Sequence, residues 1–199
     1  MKIEIPTLYQ SAGLEDFKEP EVSELGKWAA EITSGTGKGL CLAGPTGTGK
    51  THALWALLRT LDVSGWGGTC AAYTVTDVLE RLRPGWWEAW IERTELERPY
   101  SPHGHLPRNA GVERDRWWTG LLNAGLLALD DLGVMRPTEW VDEQLFRLID
   151  ERHDWLRPML VTTNWPENKW PERLGDKVAS RLSGMCQVIE MRGRDRRRD

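Results

Sequence analysis

One segment restricts the fold more than any other: Gly44-Pro45-Thr46-Gly47-Thr48-Gly49-Lys50-Thr51, a complete G-x-x-x-x-G-K-T. It follows the apolar run Leu40–Ala43, read as a buried strand, and leads through His52 into THALWALLRTL (51–61), a strong helix former. Strand, glycine-rich turn and helix in that order are what a phosphate cradle needs. The glycines let consecutive backbone N–H groups turn inward toward phosphate oxygens, and the helix N-terminus adds positive potential. In such a cradle Lys50 reaches the β- and γ-phosphates, and the Thr51 hydroxyl holds Mg2+.

The remaining pattern surrounds this unit with others like it. Val22, Leu25, Trp28, Ala29 and Ile32 recur at helical spacing, and SGTGKG (34–39) ends that helix. Thr69–Val75 is rich in β-formers and precedes a helix through Val78, Leu79 and Leu82. Leu126–Leu129 reads as a third strand, followed by a helix over 139–152 with Val141, Leu145, Phe146 and Ile149 on one face. Met159–Thr163, a short helix at about 173–182 and a last strand Val188–Met191 complete the chain. Apolar strands alternating with helices predict an α/β fold of three layers, with a five-stranded parallel sheet covered on both faces. Residues 84–120 are the least regular part, divided by the loop PYSPHGHLPRNAG (99–111).

Three further clusters fall at predicted strand or helix ends. Leu126–Leu129 closes on Asp130-Asp131, which places two carboxylates at the carboxyl edge of the sheet beside the phosphate loop. Asp130 would support Mg2+, and Asp131 would orient or deprotonate an attacking water. Leu160-Val161-Thr162-Thr163 ends on Asn164, close enough to touch a γ-phosphate or its water. Lys177-Val178-Ala179-Ser180-Arg181-Leu182 sets an arginine on the late helix. Read alone, the Asn is a turn starter and the Arg a solvated helix charge.

Composition excludes several classes. At 199 residues, 40% hydrophobic and 28% charged, the chain is a soluble domain whose core needs no disulfide or metal. No apolar run approaches the ~20 residues of a membrane span, so no membrane role is expected. Cys41, Cys70 and Cys186 lie far apart in apolar stretches, the pattern of small buried residues in a reducing compartment, here the cytoplasm. The net charge of −4 leaves nucleic-acid contact to local patches. One such patch is the tail RGRDRRRD (192–199). Another is the stretch holding Arg81, Arg83, Arg93 and Arg98. The 12 tryptophans stand against 2 Phe and 3 Tyr, and Trp86, Trp87, Trp90 and Ile91 share a helical face, which favours packing over base stacking. His103-Gly104-His105 has no third ligand nearby at metal spacing.

GPTGTGKTH (44–52), LLALDDLG (126–133), LFRLIDERHDWLRPMLVTTN (145–164), RLGDKVASRLSGM (173–185) and GRDRR (193–197) occur in this order. Together they resemble the AAA+ ATPase core of bacterial replicative helicase loaders of the DnaC/DnaI type, and the closely similar IstB transposition ATPases. Even the lead-in SAGLEDF (11–17) resembles the segment preceding that core. The resemblance implies a three-layer P-loop NTPase fold of the AAA+/ASCE kind, ATP and Mg2+ as cofactors, and ATP hydrolysis that is weak in an isolated subunit. It makes Lys50 and Thr51 the Walker A pair, Asp130 and Asp131 the Walker B acids, and Asn164 the sensor-1 residue. It makes Arg181 an arginine finger reaching a neighbouring copy, and one of Arg196, Arg197 and Arg198 a sensor-2-like arginine, Arg197 by spacing. The implied partners are further copies of the chain, a replicative DNA helicase and single-stranded DNA. The implied organisation is a lead-in at 1–20, an ATPase domain at 21–192 with a Trp/Arg-rich insert at 84–118, and an Arg-rich tail at 193–199. Loaders usually carry an N-terminal helicase-binding domain where this sequence has about twenty irregular residues. An ATP-switched accessory adaptor in transposition or phage replication, with little hydrolysis, is the alternative.

Overall fold

Alternation along the first strand decides how the molecule is layered. The structure, a computed structural model, describes residues 4–96 and 109–193. Strand β1 (Gly39–Ala43) is buried along its whole length. Leu40 and Leu42 pack into one core, with α1 (Glu21–Thr33) and α2 (Lys50–Val63). Cys41, pointing the other way, joins a second core on the opposite face. That second layer comprises α3 (Val75–Leu82), α5 (Ala110–Asn123), α6 (Glu139–Asp154), α7 (Trp170–Leu174) and α8 (Asp176–Met185). With β2 (Cys70–Thr74), β3 (Leu126–Leu132), β4 (Met159–Thr163) and β5 (Cys186–Glu190), the sheet runs β2-β3-β4-β1-β5, all pairs parallel. The α/β, five-stranded, three-layer expectation holds.

β1 and β4 are central and wholly buried, so all their polar chemistry must come at their ends. β2, at one edge, is half-buried throughout, and β5 at the other alternates buried and exposed residues. Cys41 and Cys186 are buried and Cys70 half-buried. Burial pushes the Cys70 and Cys186 thiols up to about 12, and Cys41 also well above its ordinary value, so all three are inert thiols near neutral pH.

Two expectations of irregularity need correction. Residues 84–120 contain two helices, α4 (Trp86–Leu96) and the long α5. Pro84 and Gly85, the latter at φ +81°, break the chain after α3, and the Asn109 side chain caps α5 by accepting from the Val112 N–H. Trp86, Trp87 and Trp90 pack on one another, and Trp87 is buried 5.8 Å from the Trp117 ring. This aromatic packing, remote in sequence, orders a segment whose local pattern is weak. The single late helix is in fact α7 and α8, separated at Gly175 (φ +80°).

The base of α5 is held by a residue that the sequence pattern does not flag. Arg152, on α6, is fully buried and donates to the carbonyls of Leu121, Leu122, Ala124 and Pro158 at 2.7–3.0 Å. Three of these are C-terminal carbonyls that α5 cannot satisfy internally. Burial lowers the guanidinium to about 10, still charged at neutral pH. Arg152→Met should leave several buried carbonyls unpaired, at about 1–3 kcal/mol each. A melting temperature about 10 °C lower is expected by thermal denaturation.

Candidate nucleotide-binding site

The phosphate loop leaves the carboxyl end of β1 and closes on the first turn of α2. Gly44 sits at φ +153°, and a Cβ there would lie 2.2 Å from the Met191 carbonyl oxygen just after β5. Gly47 and Gly49 take φ +86° and +96°, conformations open to glycine. The Thr48 hydroxyl donates to the Pro45 carbonyl at 2.9 Å, tightening the loop. Lys50, nearly buried, donates from Nζ to the Gly44 and Pro45 carbonyls at 2.8 and 2.7 Å. Unlike α3, α5 and α6, α2 starts with no side-chain cap, so its first amides are not taken by a side-chain acceptor.

A cleft of about 610 Å³ opens over this loop. Thr46, Gly47, Gly49, Lys50, Thr51 and His52 line its floor, with Asp131 and Asn164 from the ends of β3 and β4. Val134 and the lead-in, through Leu8, Tyr9 and Asp16, complete the wall. His52 ties the lead-in down: its Nε2 lies 2.7 Å from Asp16 Oδ2, and its ring meets Tyr9 and Phe17. Tyr9 in turn stacks on Trp55 of α2.

The acidic pair owes its geometry to a bulge. Leu129 pairs with Val161 and Leu132 with Thr163, so three steps on β3 oppose two on β4. The extra residue falls at Asp130-Asp131, and Asp131 adopts φ +63°, uncommon for any residue but glycine. In an unbroken strand the two carboxylates would point to opposite faces. Here Asp130 Oδ1 accepts from the Thr51 hydroxyl at 3.1 Å, while Asp131 lines the cleft. Burial pushes the Asp130 carboxyl above its ordinary range and the adjacent Asp131 charge adds to this, against hydrogen bonds from Thr162 and Thr51.

This donor set suits Mg2+. It offers hard oxygens only, from one hydroxyl and two carboxylates, on a site where negative charge is poorly solvated. Among the described residues no group of three or more His, Cys, Asp or Glu could hold a metal. Mg2+ commonly takes one or two carboxylates and leaves the rest of its shell to phosphates and water.

The fold therefore gathers Gly44–His52, Asp130, Asp131 and Asn164 about one sheet edge. It does not bring Arg181 there: Arg181 Nε donates to Asp150 Oδ1 on α6 at 2.6 Å, and Arg181 is absent from the cleft lining. Arg196, Arg197 and Arg198, like Arg98 and the His103-Gly104-His105 segment, lie outside the described residues. Sequence reasoning missed Thr162. Its hydroxyl donates to Asp130 Oδ1 at 2.5 Å and accepts from the Asp131 N–H at 2.9 Å. Its position two residues before a polar strand end was the only available signal.

Comparison with known proteins agrees with this fold. The crystal structure of the DnaC helicase loader superposes with a TM-score of 0.69, at 20% identity over 94% of this chain and 100% of that one. The DnaI structure gives the same TM-score at 18% identity, covering 96% and 94%. The fold is that of the AAA+ P-loop proteins. In sequence, the replicative helicase loader DnaC of Escherichia coli K12 is 22% identical over 183 residues, 89% of this chain. The chain spans 65% of that relative's length. A Mycobacterium tuberculosis protein, named for ATP binding and for its place in an insertion sequence, is 28% identical over 134 residues, 67% of this chain and 43% of that protein. No family model matches the chain. The motif resemblance to the DnaC/DnaI loaders is thus matched by both sequence and structure, and that to their insertion-sequence counterparts by sequence.

The left-handed backbone of Asp131 makes a prediction about stability. Asp131→Asn should melt within about a degree of the native chain, because Asn tolerates this region. Asp131→Val, β-branched at positive φ, should lose about 1–2 kcal/mol, or roughly 5 °C, in the same melt.

Proposed function

We propose that the chain is an AAA+ ATPase subunit that binds ATP with Mg2+, hydrolyses it, and serves DNA replication as a helicase loader. The observation that carries this is the convergence of Lys50, Thr51, Asp131 and Asn164 on one cleft whose floor is a helix N-terminus without a side-chain cap. In this reading the amides after Gly44 take the phosphate oxygens. Lys50 exchanges its two loop carbonyls for β- and γ-phosphate oxygens. Thr51 and Asp130 hold Mg2+, which neutralises phosphate charge when bound. Asp131 orients or deprotonates the attacking water, and Asn164 contacts that water or the γ-phosphate. The lead-in wall at Leu8 and Tyr9 receives the base. Arg197 is a further phosphate contact in this reading; the last described stretch before it has Met191 against Gly44, its N–H donating to the Ala43 carbonyl.

Arg181 acts on a neighbouring copy in this proposal. Asp150 holds its Nε, leaving the two Nη groups without a partner among the described residues and part of the side chain exposed. A finger supplied in trans makes the isolated subunit a weak ATPase working in a homo-oligomer. Single-stranded DNA is the proposed polymer ligand, and the partner is a replicative helicase in the cytoplasm. Arg81 and Arg83 belong partly to packing: Arg81 lies 5.1, 5.2 and 5.6 Å from the Tyr73, Trp86 and Trp117 ring centres, and Arg83 lies 5.9 Å from Trp140. Arg93 is exposed on α4. Among the described residues no helix is long and apolar enough to cross a membrane.

The insertion-sequence relative favours a second reading, an accessory adaptor switched by ATP binding with little turnover. Full function of Asp131→Asn in vivo supports that reading; loss of function supports hydrolysis.

Lys50→Ala should weaken ATP binding by about a hundredfold or more, read by titration of a fluorescent ATP analogue. Arg181→Ala should keep that affinity yet lose about a thousandfold in steady-state turnover at high protein concentration. Mixing the two variants should restore part of the activity, because each supplies what the other lacks. Native turnover in Arg181→Ala alone would remove the finger from the mechanism.

A further inference from the structure

Resting on the ATPase reading, the inference concerns how two adjacent acids on a bulged strand are held still. Asp130 and Asp131 lie where β3 has lost its regular pairing with β4, the point at which a ladder bond is missing and side chains are least constrained. The residue opposite them is Thr162, fully buried on β4. A hydroxyl has one proton to give and lone pairs to accept with. Thr162 gives its proton to Asp130 Oδ1 and accepts the Asp131 N–H. The first bond runs to a carboxylate and is charge-assisted; the second satisfies an amide that the bulge has removed from the ladder.

We propose that Thr162 is a positioning residue for the acidic pair, setting the rotamer of Asp130 and the left-handed backbone of Asp131 with one buried hydroxyl.

Two further observations support it. Asp130 Oδ1 takes both the Thr51 and the Thr162 hydroxyls, so its other oxygen has no hydrogen-bond partner among the described residues. That division keeps one carboxylate oxygen for structure and one for a cation. Thr163, the next residue, donates to the Leu132 carbonyl at 2.8 Å, just past the bulge. Successive threonines of β4 therefore clamp β3 at the irregularity and just past it. Asn164, which follows them, lines the cleft with Asp131. A shift of β4 would move the acids and Asn164 together.

The test compares Thr162→Val, which keeps shape and removes the hydroxyl, with Thr162→Ser, which keeps the hydroxyl and removes a methyl. Melting temperature checks folding, and a fluorescent ATP analogue is titrated in chelator and then against Mg2+. Thr162→Val should match native affinity in chelator, need severalfold more Mg2+ for its half-maximal response, and turn over about ten- to a hundredfold more slowly. Thr162→Ser should restore both readouts to near native. A Thr162→Val chain that titrates Mg2+ and turns over like native overturns the inference alone. So does a Thr162→Ser chain as impaired as Thr162→Val, since packing would then be at fault. A native chain that binds no ATP overturns the nucleotide reading and, with it, this inference.

Discussion

A parallel strand buried on both faces has no spare polar group along its length, because every amide and carbonyl is committed to a neighbouring strand. β1 and β4 are strands of this kind, and the rest of the molecule follows from their burial. Chemistry is pushed to the carboxyl edge, where the ladder stops and backbone groups become available. The phosphate loop occupies that edge after β1, and Asn164 occupies it after β4. β3 alone continues further, and it does so only by breaking register at the two aspartates. The irregular residues of the sheet are thus the ones with work to do.

Much of this was legible before any coordinates. Five apolar runs separated by helical periods specify a buried parallel sheet, and G-x-x-x-x-G-K-T after the first run marks the strand end that carries the phosphate loop. The position of Gly44, pressed against the Met191 carbonyl, shows why that residue type is demanded there. Asp130 and Asp131 were legible as acids at a strand end. Their bulge was not, since nothing in LLALDDLG marks the extra residue. Residues opposite a bulge carry no periodic signal of their own, which is why Thr162 was passed over in favour of Asn164. Arg152 escaped for a related reason: its partners are four backbone carbonyls from two distant segments, and carbonyls leave no trace in a sequence.

The Trp-rich segment shows how tertiary packing overrides a weak local pattern. Helix α4 has no strong amphipathic stripe, and Gly85 and Pro84 precede it, yet Trp87 finds Trp117 on α5 and hydrogen-bonds the Arg81 carbonyl at 2.9 Å. Arg81 lies over three aromatic rings in the same cluster. The abundance of tryptophan, read from the sequence as packing rather than base stacking, is for these residues substantially a way of fastening two helices to the sheet edge.

Arg152 has a consequence for where the acid-bearing strand begins. Its guanidinium gathers the segments that lead into β3 and β4, at the amino ends of the strands, remote from the cleft. The segment that departs after α3 and returns through α5 is consequently moored where it re-enters the sheet. The strand that carries the aspartates thus starts from a fixed point: Leu126 follows the tethered Ala124 carbonyl by two residues.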